Sequence, residues 1–302
     1  MNDFDQILSN EFKEYSGQKY TELYQESRFY EIYSNRITEN LEENTKADSV
    51  FFLWLYNLQE FHFEYSTFAL NHLKDEDGFK QHLSLSNEYA YQILHFAAQS
   101  CGCFESKNPF IIMNKATFMM SNLLLTNETE KFNTIGKHLI SSLNGEGCII
   151  KKGYAKATIS WFILKLYSLY SNEEIKLHEL LQPKDTFPYD EVLKNWDTTD
   201  INQVNKFIEL LCDAHLSQAK IDYEIYEQEE DEGDVHHLKY KELFSISTYL
   251  YPFEILTWMK LRTLKGLENP AEFSHPLMNT PIAKMFLKIK FAIVTIYQFD
   301  LV

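Results

Sequence analysis

Proline is nearly absent from the first 182 residues of this chain, and this constrains the fold more than any other feature of the sequence. Pro109 is the one proline before Pro183, and the 302 residues include only nine glycines and seven prolines. An all-β fold of this size needs more turn residues. Because 45% of the residues are hydrophobic, a large core is available. The sequence predicts an all-α protein: a multi-helix bundle of antiparallel helical hairpins, partly solenoid-like.

The segment 249–284 shows most clearly where helices are expected to begin and end. Pro252 fits the first turn of a helix, where its missing N–H costs nothing. Gly266 is placed to end that helix in a left-handed conformation. Thr280 and Pro281 then predict the N-cap and first residue of a last helix.

Apolar residues recur at helical spacing through most of the remaining chain. The pair 110–125 and 130–143 has a short connection, which predicts adjacent antiparallel helices. The polar run 74–78 is read as a break, with Ser86 opening the next helix. The other predicted helices lie within 2–44, at 49–73, 154–170 and 202–220.

A looser region, 171–199, is the best candidate boundary within the chain. It divides an N-terminal helical region, 1–182, from a C-terminal helical region, 183–302. This region contains too many apolar residues for a flexible linker, so the two regions are expected to pack as one domain.

The formal net charge of −16 argues against a nucleic-acid surface, because phosphate backbones require lysine and arginine. Such a charge would attract a basic partner over long range, although it is equally explained by solubility. The N-terminus has neither the basic nor the apolar segment of a signal peptide, and no apolar run reaches the length of a membrane span. The four cysteines lack zinc-site spacing, which favours reduced thiols and a cytoplasmic location.

Acidic residues are concentrated between residues 222 and 234, where no basic residue compensates them. Such a run is expected to face solvent, an ion or a basic surface. It lacks the register of a calcium loop, so the alternatives are a solvated linker and a docking surface for a cationic protein. Two tyrosines interleave with the acids, and tyrosine is enriched at interfaces. The predicted partner-binding residues are Asp222, Tyr223, Glu224, Tyr226, Glu227, Glu229, Glu230, Asp231, Glu232 and Asp234.

No set of residues predicts catalysis, a cofactor or a metal site. His62 and His72 are ten positions apart and do not share a helix face as metal ligands would. Asp213 and His215 point away from each other on a helix, which predicts structural or surface roles. The glycine-containing segment 144–153 lacks the Gly-Lys-Ser/Thr of a phosphate-binding loop.

The C-terminal third of the chain resembles the immunity proteins of bacterial polymorphic toxin systems, in particular the immunity protein 49 family. It is more loosely similar to the helical proteins that neutralise PoNe-type DNase toxins. The residues that carry the resemblance are Asp213-Ala214-His215-Leu216, Tyr251-Pro252-Phe253-Glu254-Ile255-Leu256, Leu261-Arg262, Gly266-Leu267, His275-Pro276-Leu277-Met278 and Thr280-Pro281.

This resemblance implies a helical, non-enzymatic protein that binds and blocks a cognate toxin. A nuclease toxin must be basic, so the acidic run is the predicted contact surface. Two alternatives remain: a helical scaffold or adaptor that binds a peptide or protein in a groove lined by asparagine and aromatic residues, and an all-α metal-dependent hydrolase. The oligomeric state is not predicted.

Overall fold

The computed structural model describes residues 49–99, 113–145, 157–176, 182–232, 240–243 and 245–288. These residues form ten α-helices and no β-strand, which confirms the all-α prediction. A π-helical turn, Ala69–Leu73, continues α1, and a 3₁₀ turn, Pro276–Asn279, precedes α10. The helices predicted within 2–44 lie outside the described residues. The α-helices are α1 (Ser49–Phe68), α2 (Glu76–Gln99), α3 (Met113–Leu125), α4 (Thr129–Leu143), α5 (Thr158–Ser171), α6 (Tyr189–Lys194), α7 (Ile201–Glu232), α8 (Ile246–Tyr249), α9 (Phe253–Leu264) and α10 (Pro281–Lys288).

Helix α3 lies at the centre of the described structure. All of its residues except Lys115 are buried, and the helix contacts α2, α4, α5 and α9. A helix that is buried on every side needs apolar or small residues all round. The sequence MNKATFMMSNLLL meets that need.

Three of the four buried polar residues of α3 find a partner in another part of the chain, and the fourth, Ser121, donates to the Thr117 carbonyl within the helix. Thr117 hydrogen-bonds the Ser160 hydroxyl at 2.9 Å. The Tyr251 hydroxyl donates to Oδ1 of Asn122 at 2.7 Å, and Nδ2 of Asn114 donates to the carbonyl of Lys241 at 2.7 Å. Because an unpaired buried polar group is costly, these bonds favour one arrangement of the neighbouring segments.

Two of the predicted helix ends are confirmed. Gly266 has φ +76°, and the amides of Gly266 and Leu267 donate to the carbonyls of Thr263 and Arg262, which is the Schellman pattern. At the start of α10, the amide of Ala283 donates to the Thr280 hydroxyl at 3.3 Å.

The start predicted for the second described helix is wrong by ten residues. Helix α2 begins at Glu76 and not at Ser86. Asp75 acts as its N-cap, because its Oδ1 accepts a hydrogen bond from the Gly78 amide at 2.9 Å. Glu76 and Asp77 then lie in the first turn, where the helix dipole favours negative charge. The polar run is therefore a helix start and not a break.

One continuous hydrophobic cluster joins buried side chains from Leu55 to Met285. It includes residues on both sides of the boundary region, such as Trp161 and Trp258. None of the described helices combines the length and apolar character that a membrane span requires.

Gly136 provides a test of the close packing between α4 and α5. A Cβ atom at this position would lie 2.4 Å from Cζ of the Tyr167 ring. We expect Gly136→Ala to lower the free energy of unfolding by about 1–3 kcal/mol, because the buried ring must shift. Urea denaturation followed by tryptophan fluorescence measures this change. Lys137→Ala, at the exposed neighbouring position, should change it by less than about 0.5 kcal/mol; equal effects would contradict the packing.

Candidate functional site

The predicted acidic surface is the C-terminal part of a helix. Helix α7 continues to Glu232, twelve residues beyond the predicted end at 220, so residues 222–232 are not a linker. The exposed residues in this part include Glu224 and Glu227. The backbone of 229–232 is helical, whereas the positions of those side chains and all of Asp234 lie outside the described residues.

The expectation that the whole run faces solvent is wrong for Asp222. Its carboxylate is fully buried and faces the protein. Oδ2 accepts a hydrogen bond from the Leu243 amide at 2.7 Å, and Oδ1 accepts one from Nε2 of Gln218 at 3.0 Å. Burial raises the pKa of Asp222 to about 6, although these hydrogen bonds act in the opposite direction. Asp222 therefore fastens the helix to the segment 240–243.

The two tyrosines of the run are partly buried. Their ring centroids are 6.3 Å apart, and the Tyr223 ring also meets the edge of Tyr249 at 6.4 Å. Lys241 Nζ lies 5.7 Å from the centroid of the Tyr226 ring. Both residues therefore contribute to packing against the chain itself and keep only part of their surface for a partner.

The charge of this helix end is reinforced by the helix itself. An α-helix carries the equivalent of roughly half a negative charge at its C-terminus. The last turn of α7 contains no basic residue, and neither Glu224 nor Glu227 forms an ion pair with a described residue. The acidic residues 229–232 belong to that last turn, where negative charge opposes the dipole and destabilises an isolated helix. Glu224 and Glu227 extend the negative potential further back along the helix.

A buried ion pair lies on the same side of α7 as Asp222, about two turns earlier. Nδ1 of His215 is 2.8 Å from Oε1 of Glu254, and both side chains are completely buried. Nε2 of His215 lies 3.1 Å from the Tyr249 carbonyl oxygen. Because both ring nitrogens face acceptors, the arrangement fits an imidazolium paired with a carboxylate. Burial opposes this charge, but Glu254 and the backbone carbonyls raise the pKa of His215 overall.

This pair brings together segments that carry the family resemblance. His215 and Glu254 belong to two of those segments, 39 positions apart, and Asp213 lies 3.3 Å from Nε2 of His275 in a third. The sequence identified these residues but not their pairing, because no local pattern encodes it. The pair of His215 and Glu254 is completely buried and connects α7, α8 and α9.

Another buried acid adjoins this region. Glu242 is 5% exposed, and its Oε1 accepts a hydrogen bond from the Ile159 amide. Burial raises its pKa well above the ordinary value, and the nearby Asp222 and Glu254 act in the same direction. Glu242 thus connects the start of α5 to the segment 240–243, which is also bonded to Asp222.

His62 of α1 and His82 of α2 form a pair that the sequence did not predict. Nδ1 of His62 lies 2.9 Å from Nδ1 of His82, so one ring donates to the other. Burial and the neighbouring His82 lower the pKa of His62 to about 3, and the ring is neutral. Within the described ranges, no three His, Cys, Asp or Glu residues are placed to hold a metal ion.

Comparison of the sequence and the structure with protein-family models, curated proteins and solved structures found no match. The interpretation of the site therefore depends on its own geometry and charge.

The buried ion pair predicts a large effect of Glu254→Gln. Removing one charge leaves the other buried without its partner, so we expect a loss of about 3–5 kcal/mol in the free energy of unfolding. Glu268→Gln, the same change at an exposed position, should cost less than about 0.5 kcal/mol. Similar costs for both variants in urea denaturation would contradict the assignment.

The same variant should change how stability depends on pH. A raised pKa of His215 means that its contribution is present below the unfolded value of 6.5 and is lost as the pH rises through the folded pKa. In Glu254→Gln the main cause of the increase is gone, so the cost should be largest in acid. Titration of the His215 ring by NMR should show a lower pKa in the variant, and an unchanged pKa would refute the pairing.

Asp222→Asn tests the buried carboxyl independently. The pKa of Asp222 is raised in the folded protein from 3.8 to about 6, so its contribution to stability is present below pH 3.8 and is lost as the pH rises through 6. This shift corresponds to about 3 kcal/mol. An asparagine cannot ionise, and the Gln218 amide can rotate to accept its N–H. We expect the stability of the variant, relative to wild type, to rise by up to that amount between pH 4 and 7. Parallel pH profiles would contradict the buried position.

Proposed function

We propose that this chain is an immunity protein, which binds a cognate basic toxin, such as a nuclease, and neutralises it through the acidic end of α7. The single observation that carries the proposal is this helix end, where exposed acids and the helix dipole combine without a basic residue in the last turn. The protein acts by covering a surface of its partner and supplies no chemical step.

The acids available to a partner are those whose side chains are exposed and not hydrogen-bonded to another described residue. Glu224 and Glu227 are exposed, whereas Asp222 is committed to the Leu243 amide. The acidic residues 229–232 continue the same helix. Such a concentration of negative charge accelerates encounter with a basic protein and orients it during approach.

An exposed apolar residue supports a binding role for the same part of α7. Ile221 is 51% exposed, and Glu224 and Ile225 lie three and four positions further along, on the same side of the helix. Interfaces generally combine an apolar centre with a polar rim. Ile221 would provide such a centre, and the glutamates would provide the rim.

The helix is held firmly enough to present this surface. Asp222 fixes it to Leu243, and His215 fixes it to Glu254 about two turns earlier. A surface that is already ordered loses less conformational entropy on binding than a flexible acidic tail would. The residues that carry the resemblance to immunity proteins therefore lie in the framework that positions the proposed contact.

The double variant Glu224→Gln/Glu227→Gln tests the acidic surface. The partner for the assay is the cognate toxin, to be sought in the reading frame directly upstream, and binding is followed by surface plasmon resonance at several salt concentrations. We expect the association rate to fall a few-fold at low salt and to depend less on salt, because steering is lost. Ile221→Ser should instead raise the dissociation rate.

Glu174→Gln/Glu191→Gln is the matched control, since it removes the same charge from exposed positions outside α7. An equal effect of both double variants would show that only net charge matters. Unchanged association in Glu224→Gln/Glu227→Gln would remove this face from the proposal.

A further inference from the structure

A groove of about 690 Å³ lies between α9, the connection 265–279 and α10. Its accessible lining is mixed polar and apolar, and the buried side chains of Leu256, Met259 and Met278 form an apolar floor beneath it. Phe273 and Phe286 are partly buried on its walls. A groove of this size with an apolar floor accommodates one or two side chains of a bound segment.

The rim of the groove is basic although the chain is acidic. Lys260, Lys284 and Lys288 line it, and Glu272 is the only acid among the lining residues that the structure describes. Within the described part of the chain, none of the three lysines has a carboxylate at salt-bridge distance. The rim therefore has a net charge opposite to that of the whole protein, which is −16.

Lys260 is the most confined of these lysines. It is partly buried, and its Nζ donates to the neutral side-chain oxygen of Asn127 at 2.5 Å. Burial lowers the pKa of its ammonium group. A charged group that has lost hydration without gaining an opposite charge interacts strongly with an incoming carboxylate.

Two asparagines make the groove rigid. Nδ2 of Asn269 donates to the Met259 carbonyl at 2.8 Å, and its Oδ1 accepts from Nε of Arg262 at 3.0 Å. Nδ2 of Asn279 donates to the Phe273 carbonyl at 2.8 Å. Because these bonds hold the connection to α9 and to itself, the groove is formed before anything binds.

We propose that this groove binds an acidic peptide segment of a partner protein, with an apolar side chain on the floor and its carboxylates on the lysines. The occupant is identified by charge complementarity: the three lysines have no carboxylate partner among the described residues and favour acids, and the apolar floor favours an apolar anchor. This binding function is separate from the acidic end of α7, which would contact a basic partner.

The test is fluorescence anisotropy with the full chain and a fluorescein-labelled peptide of sequence EELFEE. We expect saturable binding that weakens with salt, whereas KKLFKK, which has the wrong charge, and EEGSEE, which has no anchor, should bind at least about tenfold more weakly. No saturation by EELFEE up to about 1 mM protein would overturn the proposal, as would equal binding of the three peptides.

Charge-reversal variants locate the binding. Lys284→Glu/Lys288→Glu changes two exposed rim residues, so the fold should be retained, and circular dichroism checks this. We expect affinity for EELFEE to fall more than about tenfold. Lys176→Glu/Lys184→Glu, with the same change in net charge at exposed positions outside the groove, should change it less than about twofold. Equal losses in both variants would overturn the assignment.

Two other occupants are distinguished by the same experiments. If the chain's own residues 289–302 fill the groove, the full chain binds no probe, and the proposal fails. If a second copy fills it, sedimentation shows a dimer that Lys284→Glu/Lys288→Glu dissociates and EELFEE does not bind, and the proposal also fails. Neither result affects the toxin-binding surface, because that assay uses other residues and a basic partner.

Discussion

The buried contact between His215 and Glu254 determines how α7 lies against α9. Two charged groups without access to water are stable only while they remain paired and hydrogen-bonded. The 2.8 Å contact and the second bond to the Tyr249 carbonyl therefore allow little sliding or rotation of α7. Both proposed binding sites depend on this constraint, because α7 carries the acidic surface and α9 forms one wall of the groove.

The acidic end of α7 shows a conflict between local stability and charge. Glutamates in the last turns of a helix oppose its dipole, and a solvated coil would avoid that cost. The hydrogen bond from the Leu243 amide to Asp222 and the packing of Tyr223 against Tyr249 hold the helix in place against that cost. A chain selected for stability alone has no need of this arrangement. The conflict is explained if the charge serves binding, since proteins commonly violate local rules at functional sites.

The sequence predicted the features that local residues determine. Low proline content indicated helices, and Thr280 and Gly266 marked helix ends because their effects act within one turn. The start of α2 was also local, but Asp75 was interpreted as part of a break. The extension of α7 was missed because its acids argued for a coil, whereas the contacts of Asp222 that stabilise it come from 21 positions away. The pairing of His215 with Glu254, the contact of His62 with His82 and the lysine-rimmed groove all depend on how distant segments pack, which no periodicity in the sequence reports.

We propose that the protein acts by presenting the acidic end of α7 to a basic protein. This proposal is tested by hydrogen–deuterium exchange of the full chain, free and bound to its cognate toxin. We expect the amides of residues 221–232, which lie near the end of a helix and are able to exchange, to become protected in the complex. Protection confined to other segments, with 221–232 exchanging as in the free protein, would contradict it.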